Sequence, residues 1–73
     1  MSGVKKRSVS IRGHQTSYSL EQPFFDIIVA MAKARSLSLA SMIASVDETR
    51  PRDINLSSAL RLAALEWVQR ASE

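Results

Sequence analysis

The stretch "KKRSVSIRGHQTSYSLE", residues 5–21, decides the fold because it alternates like a β-strand while the chain after it has helical periodicity. Apolar side chains recur at every second position, as in Val9 and Ile11 and again in Tyr18 and Leu20. A strand leaves a row of N–H and C=O groups without partners unless another strand lies beside it. The stretch therefore predicts a second strand, in this chain or in another copy of it.

Two arrangements of this stretch are compatible with its pattern. Gly13 and His14 could form a two-residue hairpin turn, which pairs Arg12 with Gln15 and brings the apolar faces of both arms together. Alternatively, the strand is confined to residues about 15–20, and the preceding residues form a flexible basic arm. A lone two-stranded hairpin is marginal in water, so both arrangements remain open at this point.

Positive charge is concentrated at the start of the chain. The 73 residues carry a net charge of +3, but residues 1–20 hold four bases and no acid, whereas the remainder holds six bases and seven acids. The first part is therefore +4 and the rest −1, a distribution that suits a polyanionic partner. We predict a basic arm over residues 1–7 ahead of a domain over residues 8–73, with the bases of the first part being Lys5, Lys6, Arg7 and Arg12.

The rest of the chain predicts three amphipathic helices, at about 22–34, 38–48 and 55–71, from apolar residues three and four apart. Pro23 is well tolerated in the first turn of the first helix. Ser38 is a natural N-cap for the second helix.

Composition excludes several classes of protein. A chain of 73 residues buries little surface, and with no cysteine it has no disulfide to compensate, so oligomerisation is the expected source of further core. The single histidine provides no structural metal site. The sequence shows no set of residues for nucleophilic catalysis and no glycine-rich phosphate loop, so we expect neither an enzyme nor a cofactor. The apolar segments are too short to span a bilayer and no signal peptide is evident, so we expect a cytoplasmic protein without a membrane partner.

Two motifs carry a resemblance to a known family. "KRSVSIRGHQTSYSLE" followed by a Phe-rich helix, and "NLSSALR" near the third helix, together resemble a subfamily of the ribbon-helix-helix DNA-binding domains over residues about 6 to 68. The resemblance implies a mostly α fold with a short N-terminal β-strand and an additional C-terminal helix. It also implies an intertwined homodimer, in which the strands of two chains pair antiparallel and the helices share one core, with contributions from Tyr18, Leu20, Phe24, Ile28, Met42 and Ile43.

The same resemblance implies how double-stranded DNA is bound. In this family the two-stranded ribbon enters the major groove, so the outward residues Gln15, Ser17 and Ser19 would read bases. Ser17 and Ser19 are short where such proteins often carry Arg, Lys or Gln, so the implied readout is specific or only semi-specific. Contacts to phosphates would come from Lys5, Lys6, Arg7, Arg12 and, at the start of the second helix, Ser38.

A transcriptional regulator is the function that these features favour. The alternative is a dimeric module that binds a protein partner, as an antitoxin does, without specific DNA readout. A third hypothesis is low-specificity coating of DNA.

Overall fold

Two antiparallel strands and three helices follow one another in the computed structural model, which describes residues 3–72. The strands are β1 (Val4–Ile11) and β2 (His14–Glu21). The helices are α1 (Gln22–Ala34), α2 (Leu39–Thr49) and α3 (Leu56–Ala71). The predicted fold class, mainly helical with β-structure at the N-terminus and an additional C-terminal helix, is confirmed.

Strand β1 extends further toward the N-terminus than the sequence predicts. Its ladder with β2 runs from Val4 opposite Glu21 to Ile11 opposite His14, so residues 4–7 belong to a strand and the prediction of an arm is wrong for them. The physical reason is that pairing over the full length satisfies backbone groups that an arm would leave to water. Residues 1 and 2 of that arm, like residue 73 at the other terminus, lie outside the described residues.

The hairpin turn lies one residue earlier than the predicted Gly13–His14 turn. Its central residues are Arg12 and Gly13, with φ values of 51° and 80°. Two positive φ values give a turn whose twist matches that of the flanking strands. Val9 consequently lies opposite Thr16 and not opposite Tyr18. Because this register differs from the predicted one by two residues, each side chain keeps its predicted face.

The partner of β2 is β1 of the same chain. Within the chain, the strand is therefore completed by the first arm of its own hairpin, and pairing with the strand of a second copy stays a prediction. The sheet that results has two strands, and each strand has one edge that is not paired with another strand of the chain.

The helices begin and end within one residue of the predicted positions. Ser38 is the N-cap of α2, and its hydroxyl accepts a hydrogen bond from the Ser41 N–H at 3.1 Å. Asn55 caps α3 in the same way, since its side-chain oxygen accepts from the Ser58 N–H at 2.8 Å. No single helix within residues 3–72 meets the length and hydropathy expected of a membrane span; α1 and α2 meet them only as a pair, bent by 101° at the break between them.

One face of the hairpin and the inner faces of the helices form the core. Each helix contacts the other two, while β1 contacts α2 and β2 contacts α1 and α3. Five of the six residues expected in a dimer core are buried within the single chain, and the sixth, Phe24, is half-buried against them. The buried residues are Val9, Tyr18, Leu20, Ile28, Met31, Ala32, Met42, Ile43, Val46, Leu56, Ala59, Leu60 and Ala64.

Candidate nucleic-acid interface

The hairpin presents a polar face away from the helices. Side chains of paired residues share a face and alternate along each strand, so the residues that alternate with the buried Val9, Tyr18 and Leu20 all point outward. We call this surface the outer face of the ribbon; it consists of Val4, Lys6, Ser8, Ser10, Gln15, Ser17, Ser19 and Glu21.

The three predicted base-reading residues all lie on the outer face. Gln15 and Ser17 are exposed, and Ser19 is half-buried. Their side chains stand on the strand that is continuous with α1, so the helical core holds their backbone in place. A two-stranded ribbon has dimensions compatible with the roughly 12 Å width of the major groove of DNA.

The outer face carries little negative charge. Within the two strands, Glu21 is the one acid, and the Arg61 side chain from α3 neutralises it through hydrogen bonds of 2.9 and 3.3 Å to its two carboxylate oxygens. The hydrogen bond from Arg61, together with that from the backbone N–H of Glu21 itself, lowers the pKa of the Glu21 carboxyl below its ordinary value of 4.5. Lys6 is the base that projects from this face.

The other predicted phosphate-binding bases do not share that face. Lys5 lies opposite Leu20 and Arg7 lies opposite Tyr18, which places both on the helix side of the sheet, although Lys5 remains exposed. The prediction of an arm over residues 1–7 concealed this division, because consecutive bases alternate between two faces only when they lie in a strand.

Arg7 packs against the first helix. Its guanidinium carbon lies 3.7 Å from the centre of the Phe25 ring, and its Nη2 donates a hydrogen bond of 3.2 Å to the Gln22 side-chain oxygen. The Nη1 atom is buried without a hydrogen-bond partner among the described residues. Nearby, burial raises the pKa of the Tyr18 phenol above its ordinary value of 10.0, an effect that the positive charge of Arg7 partly offsets. Arg7 therefore has a structural role that its position in a basic run did not predict.

Arg12 occupies the hairpin turn and forms an ion pair with Glu48 of α2. Both side chains are largely exposed, so the pair contributes little to stability. It does connect the tip of the ribbon to the end of a helix.

Ser38, the remaining predicted phosphate contact, is engaged as the N-cap of α2, where its hydroxyl also donates to the Ser41 hydroxyl at 2.9 Å.

The first turns of α3 hold the unpaired edge of β2, a contact that the sequence analysis missed. The Ser19 N–H donates to the Ser57 hydroxyl at 2.8 Å, and Arg61 donates to the Ser19 carbonyl at 3.4 Å. The signal was present in "NLSSALR", where Ser57 and Arg61 are four residues apart and so lie on one side of a helix. What these two polar groups bind could not be known until the helix was placed against the sheet.

Within residues 3–72 no group of three or more His, Asp or Glu side chains is arranged to hold a metal ion.

Comparison with known proteins decides the family. A family model for the ribbon-helix-helix domain matches residues 4–68, which is most of the chain and includes the hairpin, all three helix starts and the polar outer face. The chain belongs to the ribbon-helix-helix family. No significant match was found among curated proteins or among solved structures.

Ribbon-helix-helix domains generally occur in DNA-binding transcription regulators or in antitoxins, and they typically form dimers. They are typically non-enzymatic. Membership in the ribbon-helix-helix family thus directs attention to the ribbon and to its polar outer face.

Proposed function

We propose that this ribbon-helix-helix protein is a cytoplasmic transcription regulator that, as a homodimer, places the outer face of its ribbon in the major groove of DNA. The subfamily with "KRSVSIRGHQTSYSLE" and "NLSSALR" is the one to which we assign it. The observation that carries the proposal is the character of the outer face: its central side chains are polar and uncharged apart from Lys6, and its one acid is paired with Arg61.

The shape of these side chains favours modest sequence preference. Gln15 is exposed near the tip of the ribbon and offers both a donor and an acceptor, which is the combination that recognises adenine in the major groove. Ser17 and Ser19 can contact a base edge or a bridging water but distinguish bases poorly, because a hydroxyl serves as donor or acceptor. We therefore assign the main discriminating contact to Gln15.

Positive charge near the ribbon supplies the attraction to phosphates. Lys6 on the outer face and the exposed Lys5 beside it are the bases best placed to follow the DNA backbone. The start of α2, capped by Ser38, is the proposed further contact with a phosphate, since the first N–H groups of a helix favour an anion.

Direct titration of duplex DNA tests this function. A pool of random genomic fragments is titrated with the protein and followed by fluorescence anisotropy at low and at physiological salt. Tight binding of a few fragments that persists at physiological salt would establish a sequence-specific regulator. Uniform binding that disappears as salt rises would instead indicate a protein that coats DNA.

Absence of binding at low salt would contradict DNA recognition and favour the antitoxin-like alternative, in which the helices bind a protein. The exposed apolar side chains of α3 are the feature of this chain that such an alternative would use.

The role of Gln15 is tested separately on the fragments selected in that titration. Gln15→Ala should reduce the preference at one base pair in each half-site, measured with fragments that carry single base-pair substitutions, because one bidentate contact accounts for about 1–3 kcal/mol of discrimination. Gln69→Ala is the matched control, since Gln69 is an exposed glutamine on α3, away from the ribbon. An unchanged preference profile for Gln15→Ala would remove it as a base reader.

A further inference from the structure

A polar cleft lies along the edge of β2 that is not paired with β1. It has a volume of about 540 Å³, and Thr16 and Ser17 of β2 form one of its sides. The segment between α2 and α3 forms most of the other side, with the polar residues Arg50, Arg52, Asp53 and Asn55. Ser17 belongs to the outer face, so this edge cleft adjoins the surface that we propose enters the major groove.

Arg50 fixes the shape of the edge cleft. Its Nε donates a hydrogen bond of 2.8 Å to the Asp47 carboxylate, and its Nη1 donates one of 2.6 Å to the Ile54 carbonyl. Both members of the ion pair are partly buried. The contact with Ile54 folds the segment back on itself across Arg52, which therefore has a defined place in the wall of the cleft.

Arg52 has no acceptor within residues 3–72. Its side chain is exposed, whereas each of the other six arginines donates a hydrogen bond to another described residue. These six are Arg7, Arg12, Arg35, Arg50, Arg61 and Arg70. A guanidinium carries five N–H donors in a fork that matches the oxygens of a phosphate. An arginine that is held in place while its donors have no partner in the described chain is suited to bind an anion.

The backbone of β2 adds a second donor. The Ser19 N–H points away from β1, because it donates to Ser57 of α3. Backbone groups two residues apart along a strand point the same way, so the Ser17 N–H is directed to the same edge, where the cleft lies. Among residues 3–72 it has no acceptor on α3 or on the connecting segment. An anion in the cleft would therefore meet a backbone donor on one side and Arg52 on the other.

Asp53 is the charge that opposes an anion here. It follows Arg52 directly, lines the same cleft and forms no ion pair with the described residues. Asp47, the other acid of the lining, is neutralised by Arg50. A free anion would thus gain little net attraction from the cleft. A phosphate of DNA is favoured instead, because a ribbon whose outer face meets the bases has its edges toward the phosphates that border the major groove.

We propose that the edge cleft binds a phosphate of the DNA backbone, with the Arg52 guanidinium and the Ser17 N–H as its donors. The contact rests on the proposed function of the ribbon, and it assigns a role in DNA binding to the segment between α2 and α3. Phosphate contacts fix the register of a protein on the duplex without reading its sequence. Because Gln15 stands two residues from Ser17 on the same face, a phosphate held in the cleft fixes where Gln15 meets the bases.

Anisotropy titrations of duplex DNA at several salt concentrations test the contact. Arg52→Gln should lower the logarithmic salt slope by about two units, since each chain of the homodimer loses one phosphate contact, and should weaken the binding of all fragments alike. Asp53→Asn should instead strengthen binding, because it removes the opposing charge. Both side chains are exposed, so the circular dichroism of each variant should match that of the wild type.

Arg70→Gln is the matched control, as Arg70 is an exposed arginine of α3 that does not line the cleft, and it should keep the wild-type slope. Wild-type protein that fails to bind DNA at low salt would contradict the proposed function itself. Wild-type binding with an unchanged slope for Arg52→Gln would overturn the cleft contact alone.

Neutral replacements of single phosphates locate the contact. Methylphosphonates are placed one at a time along a fragment that the wild-type protein selects. At one position in each half-site the replacement should weaken binding of the wild type but have little effect on Arg52→Gln, because the two changes remove the same contact. An equal loss for the two proteins at every position would mean that Arg52 acts only through long-range charge, and it would overturn the direct contact.

Discussion

Neighbouring bases of the N-terminal segment have different roles because a strand sends alternate side chains to opposite faces. Lys6 projects from the outer face, while Arg7 lies over the Phe25 ring and hydrogen-bonds to Gln22. The basic run therefore does not act only through its charge, because at least one of its residues packs against the helices.

Substitution of these two bases should separate the two roles. Lys6→Ala should reduce the salt dependence of DNA binding by about two units of the logarithmic slope, as expected when each chain of the homodimer loses one phosphate contact, and should leave the free energy of unfolding unchanged. Arg7→Ala should instead lower the free energy of unfolding by about 1 kcal/mol through loss of the contact with Phe25. The measurements are anisotropy titrations at several salt concentrations and urea denaturation; a loss of slope without loss of stability in Arg7→Ala would argue against its packing role.

Glu21 links the end of the ribbon to α3 and makes this contact sensitive to acid. Its pKa is lower in the folded chain than the ordinary value of 4.5, mainly because Arg61 hydrogen-bonds to its ionised form. The stabilisation is therefore complete above pH about 4.5 and is lost as the pH falls below that value through the folded pKa.

Thermal melts between pH 7 and pH 3 should show this effect. The Glu21→Gln variant should be less stable than the wild type at pH 7, and the difference should shrink as the carboxyl of the wild type becomes protonated. Glu66→Gln, which changes an exposed acid of α3, is the control and should follow the wild-type curve more closely. If the difference in thermal stability between Glu21→Gln and the wild type is the same at every pH, the ionised Glu21 carboxylate does not contribute to stability.

At the scale of the elements, the turn determines the hairpin and α3 protects its edge. The Arg12–Gly13 turn has positive φ at both residues, a conformation that glycine adopts without cost and that other residues adopt rarely. The Ser57 and Arg61 contacts to Ser19 satisfy backbone groups on the edge of β2, which limits the addition of another strand there.

The turn can be tested with the two glycines of the chain. Gly13→Ala should lower the free energy of unfolding by about 1 kcal/mol, because a Cβ there meets no atom within 4 Å and the cost comes from the positive φ alone. Gly3→Ala is the matched control: its Cβ also meets nothing within 4 Å, and its φ is not positive, so no loss is expected. Urea denaturation of both variants measures the difference, and equal stability would mean that the turn tolerates a side chain.

At the scale of the whole molecule, one small core joins the ribbon to the helices. Leu20 is 0% exposed and contributes to the same core as Ile28 and Leu60, so the sheet is held in place by the packing of α1 and α3 beneath it. This core belongs to one chain, which changes the expected consequence of disrupting it.

Leu20→Asp should unfold the single chain and not merely separate two folded copies, because it buries an unpaired charge. Leu20→Ala is the milder variant and should cost about 2–5 kcal/mol. Circular dichroism measures whether the variant is folded, and sedimentation measures whether its copies remain associated. A folded, helical monomer of Leu20→Asp would show that the core within the chain does not depend on this residue.

The sequence by itself determined the order of the three helices, the faces of β2 and the helix cap at Ser38, because these depend on local periodicity and on hydrogen bonds between residues a few positions apart. It also identified the family, through motifs that span most of the chain. Only the tertiary structure decided that β1 is the partner of β2, that Arg7 packs while Lys6 projects, and that Ser57 and Arg61 hold the sheet edge. The physical reason is the same for all three: each includes contacts between residues far apart in the sequence, such as Val4 with Glu21, Arg7 with Phe25 and Ser19 with Ser57. Whether such contacts form is settled by the packing of the whole chain and not by neighbouring residues alone.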